Sequence, residues 1–278
     1  MDPFLFQSQD ERSRQIAAYT DYLRERDGKP DRTSRTLPKR VHFFDELARQ
    51  PVRWQGPLDR ATFRENLGRR SEPGLEPRLQ WLLGAAKANR GEKFGVELAI
   101  ERSSMRDGGE DDPHCFVQLE EIVHTRLLLE ACRVFDLEVE IAPPALTSRL
   151  LIHAMTALPA RVSAPLVLCG EVVGCVMFQI LWERADLFGE QPEVVERLRM
   201  IVREILIDEL GHVVLARALL GGTALGMARR ILPSVARALI KDMPEFAWLA
   251  GSGECFVERV SRFDLGTAAG AREFAFAG

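Results

Sequence analysis

From Pro77 to Leu220 the apolar residues recur at helical spacing, and Gly and Pro punctuate the pattern. The spacing predicts four long helices. The first runs from about Pro77 to Met105 and stops at Arg106-Asp107-Gly108-Gly109. The second runs from about Asp112 to Phe135, with Pro113 in its first turn, where a missing N–H costs nothing. The third spans about Pro165 to Phe188 and stops at Gly189; the fourth spans about Pro192 to Leu220 and stops at Gly221-Gly222. Two tight links make two antiparallel hairpins. Between them, Asp136 to Ala164 holds a helical stretch of its own, Ala145 to Ala157. A connection of that length can return along the whole bundle, so helices two and three are expected to run parallel.

The flanks differ in pattern. Residues 1–72 read as an N-terminal arm with short accessory helices, one from Asp10 to Arg26 closed by Gly28-Lys29-Pro30. The basic stretch Asp31 to Arg40 has no apolar period and reads as a solvated arm packed loosely on the main domain. Residues 73–222 form the bundle, and 223–278 add C-terminal capping helices. The expected class is all-α.

Two of the long helices repeat one motif: Glu120-Glu121-Ile122-Val123-His124 and Asp208-Glu209-Leu210-Gly211-His212. A glutamate and a histidine three apart leave the same face of a helix. That face is otherwise apolar, so these groups point into the core, where an unbalanced carboxylate is costly. The other two helices should each add a carboxylate at the same height. Glu171 lies as far before the Glu190 turn as Glu209 lies after it. The first hairpin puts Glu97 opposite Glu121 to Val123; its rival Glu101, one turn further on, would pair with the less suitable Val117 to Leu119. Four carboxylates and two imidazoles make a two-metal site that suits iron or manganese. Glu120 and Asp208 point slightly off the seam and read as acceptors for the imidazole N–H of the opposite histidine. Phe94, Leu128, Gly174, Cys175, Phe178, Trp182 and Ile205 are the expected lining of a substrate cavity beside the metals.

Composition narrows the class. With 46% apolar and 28% charged residues this is an ordinary soluble globular chain. No run of about 18 uncharged apolar residues occurs, so no membrane span is expected. The N-terminus lacks the pattern of a secretory signal. A net charge of −4 argues against a nucleic-acid partner. The five cysteines contain no Cys-x-x-Cys, which excludes a zinc ribbon or rubredoxin-type site and fits reduced thiols in the cytoplasm.

These residues resemble the ferritin-like di-iron carboxylate superfamily, over roughly Pro77 to Leu220 and on Glu97, Glu121-x-x-His124, Glu171 and Glu209-x-x-His212. The resemblance implies a ferritin-like four-helix bundle with one long crossover and two Fe ions, or a Mn/Fe pair, using dioxygen as co-substrate. Rubrerythrins need cysteine ligands. The ribonucleotide reductase small subunit needs a tyrosine beside the metals, and none follows Tyr22 here. The oxygenase branch remains. Its arylamine N-oxygenases are similar in size and motif style but carry a further histidine where this chain has Ile205. The expected function is a di-iron oxidoreductase, an oxygenase or oxidase acting on a largely apolar small molecule at carbon or nitrogen. An external reductase or ferredoxin would supply electrons, and a homodimer is left open. The alternatives are a ferroxidase or iron-storage protein and a non-catalytic helical binding protein.

Overall fold

The structure, a computed structural model, describes residues 1–31, 33–102, 112–140 and 142–268, with side chains described for all of these but 99–102 and 160. Among the described residues the chain is all-α, with no strand and one isolated bridge between Asp31 and Thr36. Helix α1 (Gln9–Asp27) opens with a capping box between Ser8 and Glu11 and ends at Gly28, whose φ of +77° suits only glycine well. Helices α2 (Pro38–Arg49) and α3 (Arg60–Leu67) follow, the latter capped by Asp59. Helix α4 (Pro77–Arg102) and α5 (Pro113–Arg133) are the first two long helices; α5 has Asp112 as its cap and Pro113 in its first turn.

Helix α6 (Leu146–Ala157) lies in the long connection. Helix α7 (Ala160–Glu183) starts earlier than the expected Pro165, which sits inside it and removes one donor from the ladder. A 3₁₀ turn (Arg184–Phe188) then leads into α8 (Pro192–Ala218). The chain closes with α9 (Gly222–Asp242), α10 (Pro244–Leu249) and α11 (Gly253–Ser261).

Helix α4 packs on α5, α7 on α8, and α5 across to α8. Cross-helix pairs fix the directions. His124 meets Asp208 and His212 meets Glu120, so α5 and α8 are antiparallel. Glu171 meets His212 while Trp182 meets Arg199, so α7 and α8 are antiparallel too. Helices α5 and α7 therefore run the same way, and the chain between them returns along their length.

One hydrophobic cluster runs through every helix but α6, whose Leu151 packs against it, from Tyr19 and Phe63 through Leu127 and Leu206 to Phe246 and Phe256. Each such side chain contributes roughly 1.5–3 kcal/mol by leaving water. At one end of α7, Phe188 of the 3₁₀ turn packs against Phe135, Trp54 and Trp81 at 4.8, 5.5 and 5.6 Å between ring centres. Helices α1–α3 add Tyr19, Phe44 and Phe63 to this core, while most described residues of the basic stretch between α1 and α2 are exposed. Leu37 and Arg40 end the basic stretch and are only 1% and 6% exposed.

One helix, Arg161–Phe188 counted with its 3₁₀ extension, is long and apolar enough to cross a membrane by length and composition alone. In the fold α8 and α9 pack against it.

Candidate metal centre

Two histidines from two antiparallel helices meet at the middle of the protein. Their ring centres are 5.7 Å apart, and both are buried. Each is held by a carboxylate from the other motif. His124 Nε2 lies 3.1 Å from Asp208 Oδ2, and His212 Nε2 lies 3.0 Å from Glu120 Oε2. These contacts fix each ring and turn its other nitrogen, Nδ1, toward the carboxylates between the helices. Both Nδ1 atoms are buried and have no hydrogen-bond partner.

The carboxylates around those nitrogens form two groups. Glu92, Glu121, His124 and Glu209 each offer a donor atom within 4.8 Å of the others, and so do Glu121, Glu171, Glu209 and His212. Glu121 and Glu209 belong to both. The two oxygens of Glu121 divide between the histidines, Oε2 at 3.4 Å from His124 Nδ1 and Oε1 at 3.2 Å from His212 Nδ1. Glu209 Oε1 lies 3.5 Å from His124, Glu92 Oε2 lies 3.8 Å from it, and Glu171 Oε2 lies 3.5 Å from His212. The groups could each hold a metal ion, with two carboxylates shared between them.

Burial and mutual repulsion shape the charges. Burial, then the neighbouring Glu121, pushes the Glu92 carboxyl well above its usual range; burial and Glu92 and Glu171 do the same to Glu209. Burial would raise Glu121 as well, but the neighbouring Glu92 carboxyl and the two imidazoles beside it outweigh it and hold Glu121 low. Burial opposes charge on both imidazoles. The carboxylates outweigh it: Asp208, Glu121 and Glu92 raise His124, and Glu120, Glu121 and Glu171 raise His212.

Asp208 is itself gripped by two arginines. Arg40 Nη2 donates to its Oδ2 at 2.6 Å, and Arg26 Nη1 donates to its Oδ1. Burial would raise this carboxyl, but the two guanidinium groups hold it far below the usual range. Arg26 ends α1 and Arg40 lies in the first turn of α2, so the N-terminal segment reaches the site through Asp208. Helix α1 can approach α8 this closely because residue 211 is glycine. A Cβ there would lie 2.6 Å from the Tyr19 hydroxyl. Gly174 serves the same end inside the cluster, since its Cβ would come 2.8 Å from Glu209 Oε2.

Of the residues singled out from the sequence, Glu121, His124, Glu171, Glu209 and His212 are brought together. Glu97 is not. Its side chain is 58% exposed and faces Lys93 at 3.8 Å. Glu92 stands where Glu97 was expected. The register explains the difference: Asn89 donates to the Thr125 carbonyl at 3.0 Å, which sets Glu92 level with Glu121. Five positions further along, a side chain points roughly 140° away. Counting from a turn at Gly109 put the hairpin centre too late. The helix face itself held the better signal, for Glu92 falls at i+3 from Asn89 and i−4 from Val96, both buried. The Glu101 side chain lies outside the described residues.

Beside the cluster lies a cavity of about 270 Å³. Glu92, Glu121, Glu171 and Glu209 line one part of it, and Val117, Ile152, Met155, Met177 and Phe178 line much of the rest. Gly174 and Phe178 line it as expected. Phe94 instead packs edge-on against His153; Trp182 lies under Arg199; Leu128, Cys175 and Ile205 are fully buried core residues. None of these five lines the cavity, although Cys175 lies near Glu209 and Glu171, and Ile152 and Met155 of α6 form part of its wall. No family model, no curated protein and no solved structure matches this chain.

Proposed function

We propose that the chain is a di-iron oxidoreductase of the ferritin-like type, an oxygenase or oxidase acting on a largely apolar small molecule. In this reading α4, α5, α7 and α8 are the four-helix bundle, with one long crossover, and the remaining helices are accessory. The observation that carries it is the pair of buried imidazole Nδ1 atoms without partners, each facing carboxylates that the two groups share. Neither nitrogen needs such an arrangement for packing alone.

The donor set fits two divalent cations. Four carboxylates in an apolar interior call for about that much positive charge, and the displaced acidities of Glu92 and Glu209 reflect its lack. Three carboxylates and one imidazole per ion suit iron or manganese. Glu92 and His124 would hold one ion, Glu171 and His212 the other, and Glu121 and Glu209 would serve both. A bound iron pair would supply the electrons for two-electron reduction of dioxygen, drawn from an external reductase or ferredoxin.

The protein's own part is binding and shielding. Asp208 and Glu120 fix the tautomer and angle of the imidazoles. The apolar walls of the cavity admit an apolar body next to the carboxylates and keep bulk water out. That apolar lining favours a substrate over iron storage, because a ferroxidase needs a hydrophilic path for ions.

The test is anaerobic iron loading followed by elemental analysis and oxygen uptake. About two irons per chain and oxygen consumption above that of free iron are expected. A protein that holds no metal, or holds it without reacting with dioxygen or peroxide, would refute the proposal.

A further inference from the structure

Four residues on the wall of the cavity, Gly91, Ile152, Leu239 and Met243, also line a second pocket of about 220 Å³. The two spaces therefore adjoin. Their chemistry differs. The cavity at the carboxylates is largely apolar, whereas Lys87, Arg90, Arg69 and Arg70 face the second pocket.

Most of that positive charge is spent or solvated. Lys87 Nζ donates to Glu245 Oε1 at 2.6 Å and to Ser71 Oγ at 2.7 Å. Arg69 pairs with Glu65 and Glu72 at the surface, and Arg70 is exposed. Arg90 is different. It is only 9% exposed, its Nε is buried without a partner, and among the described residues its guanidinium makes no hydrogen bond or ion pair. A buried cation left unpaired is costly, and a pocket at its side is where a partner would sit.

Gly91 lines both spaces. A Cβ built there meets nothing within 4 Å. Glycine inside a helix costs about 1 kcal/mol relative to alanine. Its presence in the middle of α4 is accounted for by the room it leaves.

We propose that Arg90 binds the anionic end of the substrate, and that the substrate is an amphipathic monocarboxylate whose apolar chain passes Gly91 toward the four carboxylates. Asp242 also lines the pocket, its Oδ2 accepting from Ser148 N and Oγ at 2.7 and 2.8 Å. That nearby negative charge favours a singly charged head over a phosphate. The binding stands on the pocket alone; only the oxidation of the bound chain rests on the function proposed above.

Calorimetric titration of the metal-free protein with octanoate, octanol and octyl phosphate tests it. Octanoate should bind roughly 10- to 100-fold more tightly than octanol, the range a charge-assisted hydrogen bond supplies. In Arg90→Met that preference should vanish while octanol affinity and iron stoichiometry stay, and Arg90→Lys should restore part of it. In Gly91→Phe both octanoate and octanol should bind more weakly. Equal binding of octanoate and octanol in the wild type, or an unchanged preference in Arg90→Met, would overturn the proposal. Tighter binding of octyl phosphate would overturn the monocarboxylate. Octanoate binding by a chain that takes up no iron would leave this proposal standing and the di-iron reading refuted.

Discussion

The two histidines occupy matching places in one motif, yet the protein anchors them differently. His124 hangs on Asp208, which receives Arg40 at 2.6 Å and Arg26 besides; Arg40 reaches Asp27 at 3.7 Å and Glu204 at 3.2 Å as well. His212 hangs on Glu120, which among the described residues has no arginine; its Oε1 is buried without a partner, and the nearby Tyr19 hydroxyl has none either. One imidazole is thus locked into an ion network that ties α1 and α2 to the bundle. The other is held at Nε2 by a single hydrogen bond to a carboxylate outside that network. A repeated sequence motif guarantees the geometry of its own helix turn and says nothing about how rigidly the partner helix holds it.

The largest expected effect comes from breaking the stronger anchor. Asp208→Ala removes the nearest counter-charge of Arg26 and Arg40, leaving them Glu204 and Asp27, and should cost about 3 kcal/mol in urea unfolding of the metal-free protein. Glu120→Gln keeps a hydrogen-bonding group, leaves no arginine behind and leaves Glu121 and Glu171 facing His212, so its stability cost should be about 1 kcal/mol or less. Its effect should fall on metal affinity instead, a loss of roughly 10- to 100-fold confined to one of the two ions, read by competition with a chelator. A comparable stability loss in both variants would erase the asymmetry.

pH sharpens the same comparison. Glu92 and Glu209 have folded pKa values above their unfolded ones, so between those values the folded state binds more protons than the unfolded state. The raised imidazoles act in the same direction. The metal-free protein should therefore lose stability as pH rises from about 5 to 8, and metal should remove that slope. Asp208 is shifted the other way. Its contribution is present above about pH 4 and is lost as pH falls through its low folded value, so Asp208→Asn should flatten the acid limb. Thermal melts across pH, with and without iron, check both signs. The smallest effect belongs to Glu97→Gln. An exposed carboxylate facing Lys93 at 3.8 Å should change stability by less than about 0.5 kcal/mol and leave metal content untouched.

Much of this centre is legible in the chain because it is built from local spacing. Glu121 with His124 and Glu209 with His212 follow from one turn of helix, and Glu171 follows from counting through a short, well-punctuated link. Glu92 escaped because the first link has two adjacent glycines and no fixed centre, so counting from it carried the error of the turn. Arg26 and Arg40 escaped for another reason. Their partner Asp208 lies more than a hundred residues away, and Arg40 sits in a stretch with no apolar period. Arg40 closes a basic segment whose other described residues are exposed but for Leu37, and it alone of the described basic side chains there is buried because Asp208 of another helix neutralises it. The wall that α6 gives the cavity could not be read either, since Ile152 and Met155 meet α4 and α7 only once the long connection has folded back.

The central claim is that two groups of donors share Glu121 and Glu209 and hold two metal ions. Its most direct test is metal content per chain after anaerobic iron loading, on the wild type, Glu209→Ala and Glu171→Ala. The expected contents are about two irons for the wild type, none or nearly none for Glu209→Ala, and about one for Glu171→Ala. Equal iron in all three, or none in the wild type, would contradict the account and leave the buried carboxylates and imidazoles as a feature of the core alone.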